Sequence, residues 1–431
     1  MIPALLTLSV IAFILMGLLV AVAAGASAII GGGVLFGDLS ADRIPMMISR
    51  LSVDRVDNFL LLAIPFFILA GRLMNTGGIT ERLFDFVATI MQPFRGGLGH
   101  ANVMASFIFA GMSGSATADV AGLGAVEMRA MRANNYPDSF SAGVTAATSL
   151  LGPVLPPSIV LIAYAVQAEQ SVATLFLAAV VPGIIMAIAY MIWVAIQSRR
   201  HNFRKGSLPT LNQLISTGIR AILPMLTPVI ILVGIYAGLF TPTEAAAIAV
   251  LYAFILTKFI YRELSWRGLL EELKGTALDT ATLMFIIAMT SAFGVIALRL
   301  GLPQALASMV LDISEHPTVV LFLLLIIWLI VGFFMAQTPA IIILTPILLP
   351  VAEQVGIDLI HFGIVMSMAL TVGLLTPPVG MVLYALNKVA KVPLNTLFRV
   401  SVPYIFIALL VISVLIIFPA LVTGLPYAFG F

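Results

Sequence analysis

The chain has 431 residues, 61% of them hydrophobic and 9% charged, with a mean hydropathy of +1.16. A soluble globular protein carries close to three times that charged fraction, so this composition describes an integral membrane protein, long enough for about ten spans of roughly 20 residues. The net charge of +2 is not gathered into a basic tract suited to nucleic acid, and the absence of cysteine excludes disulfides, thiolate metal sites and thiol redox chemistry.

The opening MIPALLTLSV has neither a basic region nor a small-residue cleavage site, and it reads as a mature span rather than a signal peptide. Residues 3–36 form a nearly uncharged run. One helix of that length would reach about 50 Å against a hydrocarbon core of about 30 Å, so the run must tilt or fold back. The expected fold-back lies near residues 17–21. Residues 37–57, with Asp38, Asp42, Arg43, Arg50, Asp54, Arg55 and Asp57, read as an interfacial arm. A span follows at 58–74, then a polar connection at 75–97 holding an amphipathic stretch, 81–92.

Residues 100–132 do not resemble one span. Their middle, GMSGSATAD (111–119), is small and polar between short apolar limbs, which predicts a re-entrant hairpin with its tip near the midplane. Residues 139–166 are a span interrupted at LLGPVLPPSIV (150–160), where Gly152, Pro153, Pro156 and Pro157 stand in an apolar run. Proline removes a backbone donor and clashes with the preceding turn, so no intact helix runs through. In a bilayer the bared carbonyls are tolerated only beside protein, an ion or a water-filled cavity. Residues 173–197 form another span, ending in Arg199, Arg200, His201, Arg204 and Lys205.

The pattern then repeats. Spans at 219–238 and 244–259 flank a turn at 240–244. A charged amphipathic arm at 261–274 precedes a span at 276–298. A second hairpin at 319–350 carries Gln337, Thr338 and Pro339 at its tip. The second broken span, 360–386, is interrupted at VGLLTPPVGMV (372–382), and the last span is 397–418. Pro156 and Pro377 stand 221 positions apart, and the same register pairs Pro3 with Pro224, Gly17 with Gly238, Thr117 with Thr338, Gly152 with Gly373, and Pro182 with Pro403. The chain is a two-fold repeat. With five full spans in each half, the halves are inverted. Placing 199–205 in the cytoplasm puts 17 of the 21 Lys and Arg on that side and both termini outside.

Two broken helices in corresponding positions of two halves point to a transporter's binding site. The tips and breaks are expected to meet near the midplane, offering the hydroxyls of Ser113, Ser115 and Thr117 in the first half and Thr338 and Thr376 in the second, with carbonyls freed by proline. Neutral oxygens suit a monovalent hard cation such as sodium, whereas calcium or magnesium would want more carboxylates. Half-helix amino termini facing the same space suit an anionic substrate. The rival reading is that small residues only let helices pack closely. Packing alone does not require Pro-Pro breaks repeated in register. Asp119 is the carboxylate placed deepest, an intramembrane acid that reads equally as a functional group or as a cap of the hairpin's second limb. Glu127 reads as an ion-pair partner of Arg129, and Glu244 as a helix-start residue. His100, His201, His316 and His361 are scattered without metal-ligand spacing. With no nucleophile–base pair and no phosphate-cradling loop, neither an enzyme nor an ATPase is expected.

At FAGMSGSATADVAGLGAVEM (109–128), LLGPVLPPSI (150–159) and GLLTPPVGMVLY (373–384), and over essentially the whole chain, the sequence resembles the large membrane subunit of the tripartite ATP-independent periplasmic (TRAP) transporters. The resemblance implies sodium-coupled uptake of an organic acid, of sialic acid or four-carbon dicarboxylate type, by an elevator movement of a transport domain against a scaffold. The fold class expected is therefore an all-α membrane protein of inverted repeats, with two re-entrant hairpins and two broken helices. Scaffold and arm would occupy 1–57 and 200–275, and the transport halves 58–199 and 276–431. Carried over by position, a first sodium site would use Ser113, Ser115, Gly152, Leu155 and Pro157, and a second Thr338, Gly373, Thr376 and Pro378. The substrate would lie by Ser115, Thr117 and Asp119. The resemblance also implies two partners, a small membrane subunit and a periplasmic binding protein, and an inner-membrane location with no cofactor beyond the coupling sodium. Some family members fuse the two membrane subunits, and this chain has no room for the small one. A stand-alone sodium- or proton-coupled carboxylate carrier or antiporter of the same architecture remains the alternative. A channel is disfavoured, because two hairpins closing a midplane site suggest alternating access.

Overall fold

The computed structural model describes residues 2–36 and 43–430. The start of the expected arm, with Asp38 and Asp42, lies outside them. Every regular element among the described residues is helical. Eight of these helices are long and apolar enough to cross a membrane, and shorter apolar helices accompany them.

The repeat is visible element by element. The fold-back expected in the first run is present, with Ile2–Leu15 and Val20–Phe36 separated by a turn at Gly17. Its counterparts, Leu211–Tyr236 and Pro242–Ile255, turn at Gly238. The second turn ends in a capping box. Thr241 N–H donates to Glu244 Oε2 at 2.8 Å, and Glu244 N–H donates to Thr241 Oγ1 at 3.3 Å, which gives Glu244 the helix-start role read from the sequence.

The first hairpin climbs as Gly97–Ser113 and returns through Ala116–Asp119, a π-turn at Val120–Gly124 and Ala125–Ala133. The second climbs as Pro317–Phe334 and returns as Gln337–Gln354. The broken helices run Asp138–Thr148, Leu151–Val154 and Ile159–Ala168 in the first half. In the second they run Leu359–Val372, Gly373–Leu375 and Met381–Ala390. Both Pro156–Pro157 and Pro377–Pro378 are cis. The apolar middle of the first broken helix is wholly enclosed by protein. Leu211–Tyr236 instead turns Ile215, Ile219, Ile222, Val229 and Val233 outward, the spacing of a lipid-facing stripe.

One expectation fails. The arm at 261–274 and the span at 276–298 form a single helix, Trp266–Arg299, of 34 residues. No proline interrupts it. In the first half the matching junction is broken at Asn58, whose Oδ1 accepts from Leu60 N–H at 2.9 Å and caps a new turn. The residue in register with Asn58 is Asp279, which lies inside the long helix and binds Arg72 instead.

Candidate functional site

The tip of the first hairpin is built by two residues outside helical geometry. Gly114 has φ +61°, and Ser115 is extended, its hydroxyl accepting from Ala118 N–H at 3.4 Å as an N-cap. That turn rests directly on the break. A Cβ at Gly114 would collide with the carbonyl oxygen of Pro157, and one at Gly152 would come within 3.0 Å of the Ser115 carbonyl carbon. Ser113 is buried there, its hydroxyl without a hydrogen-bond partner. At the break Leu155 becomes extended, and Ser158 restarts the helix by accepting from Leu161 N–H at 3.2 Å while donating to the Pro153 carbonyl. All five residues expected at a first cation site belong to the hairpin tip or the break it rests on, joined by the Gly114–Pro157 and Gly152–Ser115 contacts.

The second junction is built from other groups. Gly332 and Gly373 pack backbone to backbone, and Val379 N–H donates to Phe333 O at 3.3 Å. Thr371 Oγ1 donates to Gln337 Oε1 at 2.8 Å, tying tip to broken helix. Thr376 donates its hydroxyl to Gly373 O at 2.9 Å. Gly373, Thr376 and Pro378 are therefore neighbours at the break, whereas Thr338 sits on the tip with its own face to a central cavity. The two junctions differ in enclosure: Pro156 and Pro157 are buried, while Pro377 and Pro378 are exposed.

Both tips open onto that cavity, of about 580 Å³. Ser113, Ser115 and Thr117 line it from one side and Gln337 and Thr338 from the other. The hydroxyls of Ser115 and Thr117 are 3.1 Å apart. Arg72 and Asp279 stand in the same wall. Arg72 is not among the residues expected at the site, although a lone Arg inside the span 58–74 marks a functional candidate.

Asp119 does not reach the cavity. It is fully buried, and its Oδ2 accepts from Ser106 Oγ at 3.1 Å. Glu127 does not pair with Arg129 either. Its side chain is fully buried beside Ser106, while Arg129 reaches outward to Glu81 at 2.9 Å. Residues two apart on a helix do not share a face, so the sequence neighbour was the wrong partner to choose.

The family described as tripartite ATP-independent periplasmic transporter, DctM component, matches residues 7–421. The chain is 41% identical over 374 residues to the sialic acid TRAP transporter large permease protein SiaM of Vibrio cholerae, covering 87% of this chain and 88% of that one. It is 38% identical, with the same coverage, to the C4-dicarboxylate TRAP transporter large permease protein DctM of Pseudomonas aeruginosa. Among solved structures, the YdaH transporter of Alcanivorax borkumensis superposes with a TM-score of 0.62 over 88% of this chain and 89% of that one, at 15% identity, which is a likeness of fold.

Proposed function

The chain belongs to the DctM component family of the tripartite ATP-independent periplasmic transporters, and from that premise we propose that it carries out sodium-coupled uptake of a small carboxylated molecule. It is a multi-pass transport permease and not an enzyme. The observation that carries the proposal is the meeting of both hairpin tips, with Ile159 and Leu374 from beside the two breaks, around one cavity of about 580 Å³. That volume falls in the range of small-molecule sites, roughly 300–1,000 Å³.

In this reading the first sodium ion is held by Ser113, Ser115, Gly152, Leu155 and Pro157, largely through carbonyls, and the second by Thr338, Gly373, Thr376 and Pro378. The unpartnered Ser113 hydroxyl supports the first assignment. The substrate, of sialic acid or four-carbon dicarboxylate type as in the relatives' names, occupies the cavity beside Ser115 and Thr117. Asp119 acts from behind the tip. The gradient supplies the work, at about 2.3 kcal/mol per charge per 100 mV plus the concentration term. A periplasmic binding protein delivers the ligand, a separate small membrane subunit completes the assembly in the inner membrane, and both termini face the periplasm. Transport halves at 58–199 and 276–431 move as an elevator against the rest.

Uptake into proteoliposomes holding this chain and its small partner tests the proposal, with and without an inward sodium gradient and the binding protein. Saturable accumulation that needs both supports it. Accumulation with sodium alone makes the chain a stand-alone carrier, and indifference to sodium removes both cation sites.

A further inference from the structure

The second limb of the first hairpin buries two carboxyl groups that do not line the cavity. Asp119 and Glu127 are both 0% exposed. On a regular α-helix, positions eight apart drift away from a common face. Here the limb winds as a π-turn from Val120 to Gly124, and its wider i→i+5 turn brings both side chains round to the first limb. The Ser106 hydroxyl lies 3.1 Å from Asp119 Oδ2 and 3.5 Å from Glu127 Oε1. Asn102 and Thr145 stand alongside Glu127. Asn102 is already engaged, donating to Thr145 Oγ1 at 2.7 Å and accepting from Thr148 Oγ1 at 2.7 Å.

The donors in this cluster are all neutral side chains. Ser106 has one O–H and serves one carboxyl at a time, with the shorter contact to Asp119. Asp119 Oδ1 and Glu127 Oε2 have no hydrogen-bond partner. No Lys, Arg or His among the described residues pairs with either acid. Glu81 is taken by Arg129 and Asp138 by Arg132, so the charge acting on Glu127 is that of Asp119. Two ionised carboxylates here would each bear the loss of water and also repel one another. The Ser106 hydroxyl, at 3.1 Å from Asp119 and 3.5 Å from Glu127, favours Asp119 as the group that keeps its charge. Glu127 lies beyond the π-turn, among the neutral side chains of Ser106, Asn102 and Thr145.

We propose that Glu127 is carried as the neutral acid and donates its carboxyl O–H into the Ser106–Asp119 cluster, a positioning residue that holds the returning limb, and with it Ser115 and Thr117, against the climbing limb. Asp119 remains the anion. No proton leaves in this account; the proton is part of the hairpin's fastening.

Infrared difference spectra of the purified chain in H2O and D2O report a protonated carboxylic C=O stretch directly. The expected result is a band in the unmodified protein, lost in Glu127→Gln and kept in Asp119→Asn. Uptake is the second readout, and it alone rests on the transport reading. Glu127→Gln, whose amide N–H replaces the acid O–H, retains uptake, whereas Glu127→Ala lowers it about tenfold or more. Absence of the band from the unmodified protein overturns the proposal. So does a band that survives Glu127→Gln or vanishes in Asp119→Asn, or a Gln variant as impaired as the Ala variant.

Discussion

Arg72 Nη1 and Asp279 Oδ2 are 2.8 Å apart in the wall of the central cavity, joining helices 207 positions apart in the chain. Arg72 also gives its Nε to Glu272 at 2.9 Å, so the guanidinium is shared between two acids of the long helix. Both pairs are partly exposed, and such pairs contribute about 0–1 kcal/mol each. Arg72 itself lines the cavity, with Asp279 but not Glu272 beside it.

Arg72→Gln is expected to raise the KM for a carboxylated substrate about tenfold, through loss of a charge-assisted contact, with folding stability changed by less than about 1–2 kcal/mol. Concentration-dependent uptake alongside thermal unfolding checks this. An unchanged KM would remove Arg72 from the substrate's surroundings.

Gly152→Ala should lower the affinity for sodium, so that more sodium is needed for the same uptake. The new methyl would meet the Ser115 carbonyl carbon at 3.0 Å, and backbone on both sides leaves little room to give way. The hairpin tip must lift from the break. An increase of about tenfold or more in the sodium concentration giving half-maximal uptake is expected, corresponding to about 1.4 kcal/mol of lost ion binding. Gly424→Ala, where nothing lies within 4 Å of the added carbon, serves as the control.

Ser115→Ala and Thr376→Ala should differ. Ser115 caps the returning limb and lines the cavity, so its loss acts on both ion and substrate. The Thr376 hydroxyl is turned onto Gly373 O, and its loss frees that carbonyl while removing one oxygen. Sodium titrations at fixed substrate are expected to show a larger rightward shift for Ser115→Ala. Equal shifts would mean that the Thr376 hydroxyl has turned away from Gly373 to the ion.

Asn102→Ala tests the polar seam between the first hairpin and the broken helix. It leaves the Thr145 and Thr148 hydroxyls without their shared amide, at about 1–3 kcal/mol for each buried group left unpaired. Thr148 also donates to Val144 O at 3.0 Å, which places its share at the low end. A loss of about 2–4 kcal/mol in unfolding free energy is the expected outcome in denaturant titration.

What the sequence disclosed was what repeats. Pro156–Pro157 and Pro377–Pro378 break apolar runs at matched positions, and the GMSGSATAD tip has no other use in a membrane than a turn. These features are local, and local chemistry is legible in one chain. The misreadings are tertiary. Whether Lys274 and Gly275 end a helix was decided by the neighbours of Trp266–Arg299, not by composition. That Glu127 would turn inward depended on a π-turn with no residue signature. Arg72 carried its signal openly, but its partners lie some two hundred positions away and no pattern names them.

The unbroken helix Trp266–Arg299 makes the two repeats mechanically unlike. At 1.5 Å per residue it is a strut of about 51 Å, on which displacement of Asp279 in the cavity wall must also carry the end at Trp266. In the other repeat the same place is jointed at Asn58, and arm and span can swivel separately. One repeat has a knuckle and its twin a splint. The two repeats are therefore alike in sequence register but unlike in joint, and a variant that inserts a break at Asp279 is the counterpart of what Asn58 already supplies.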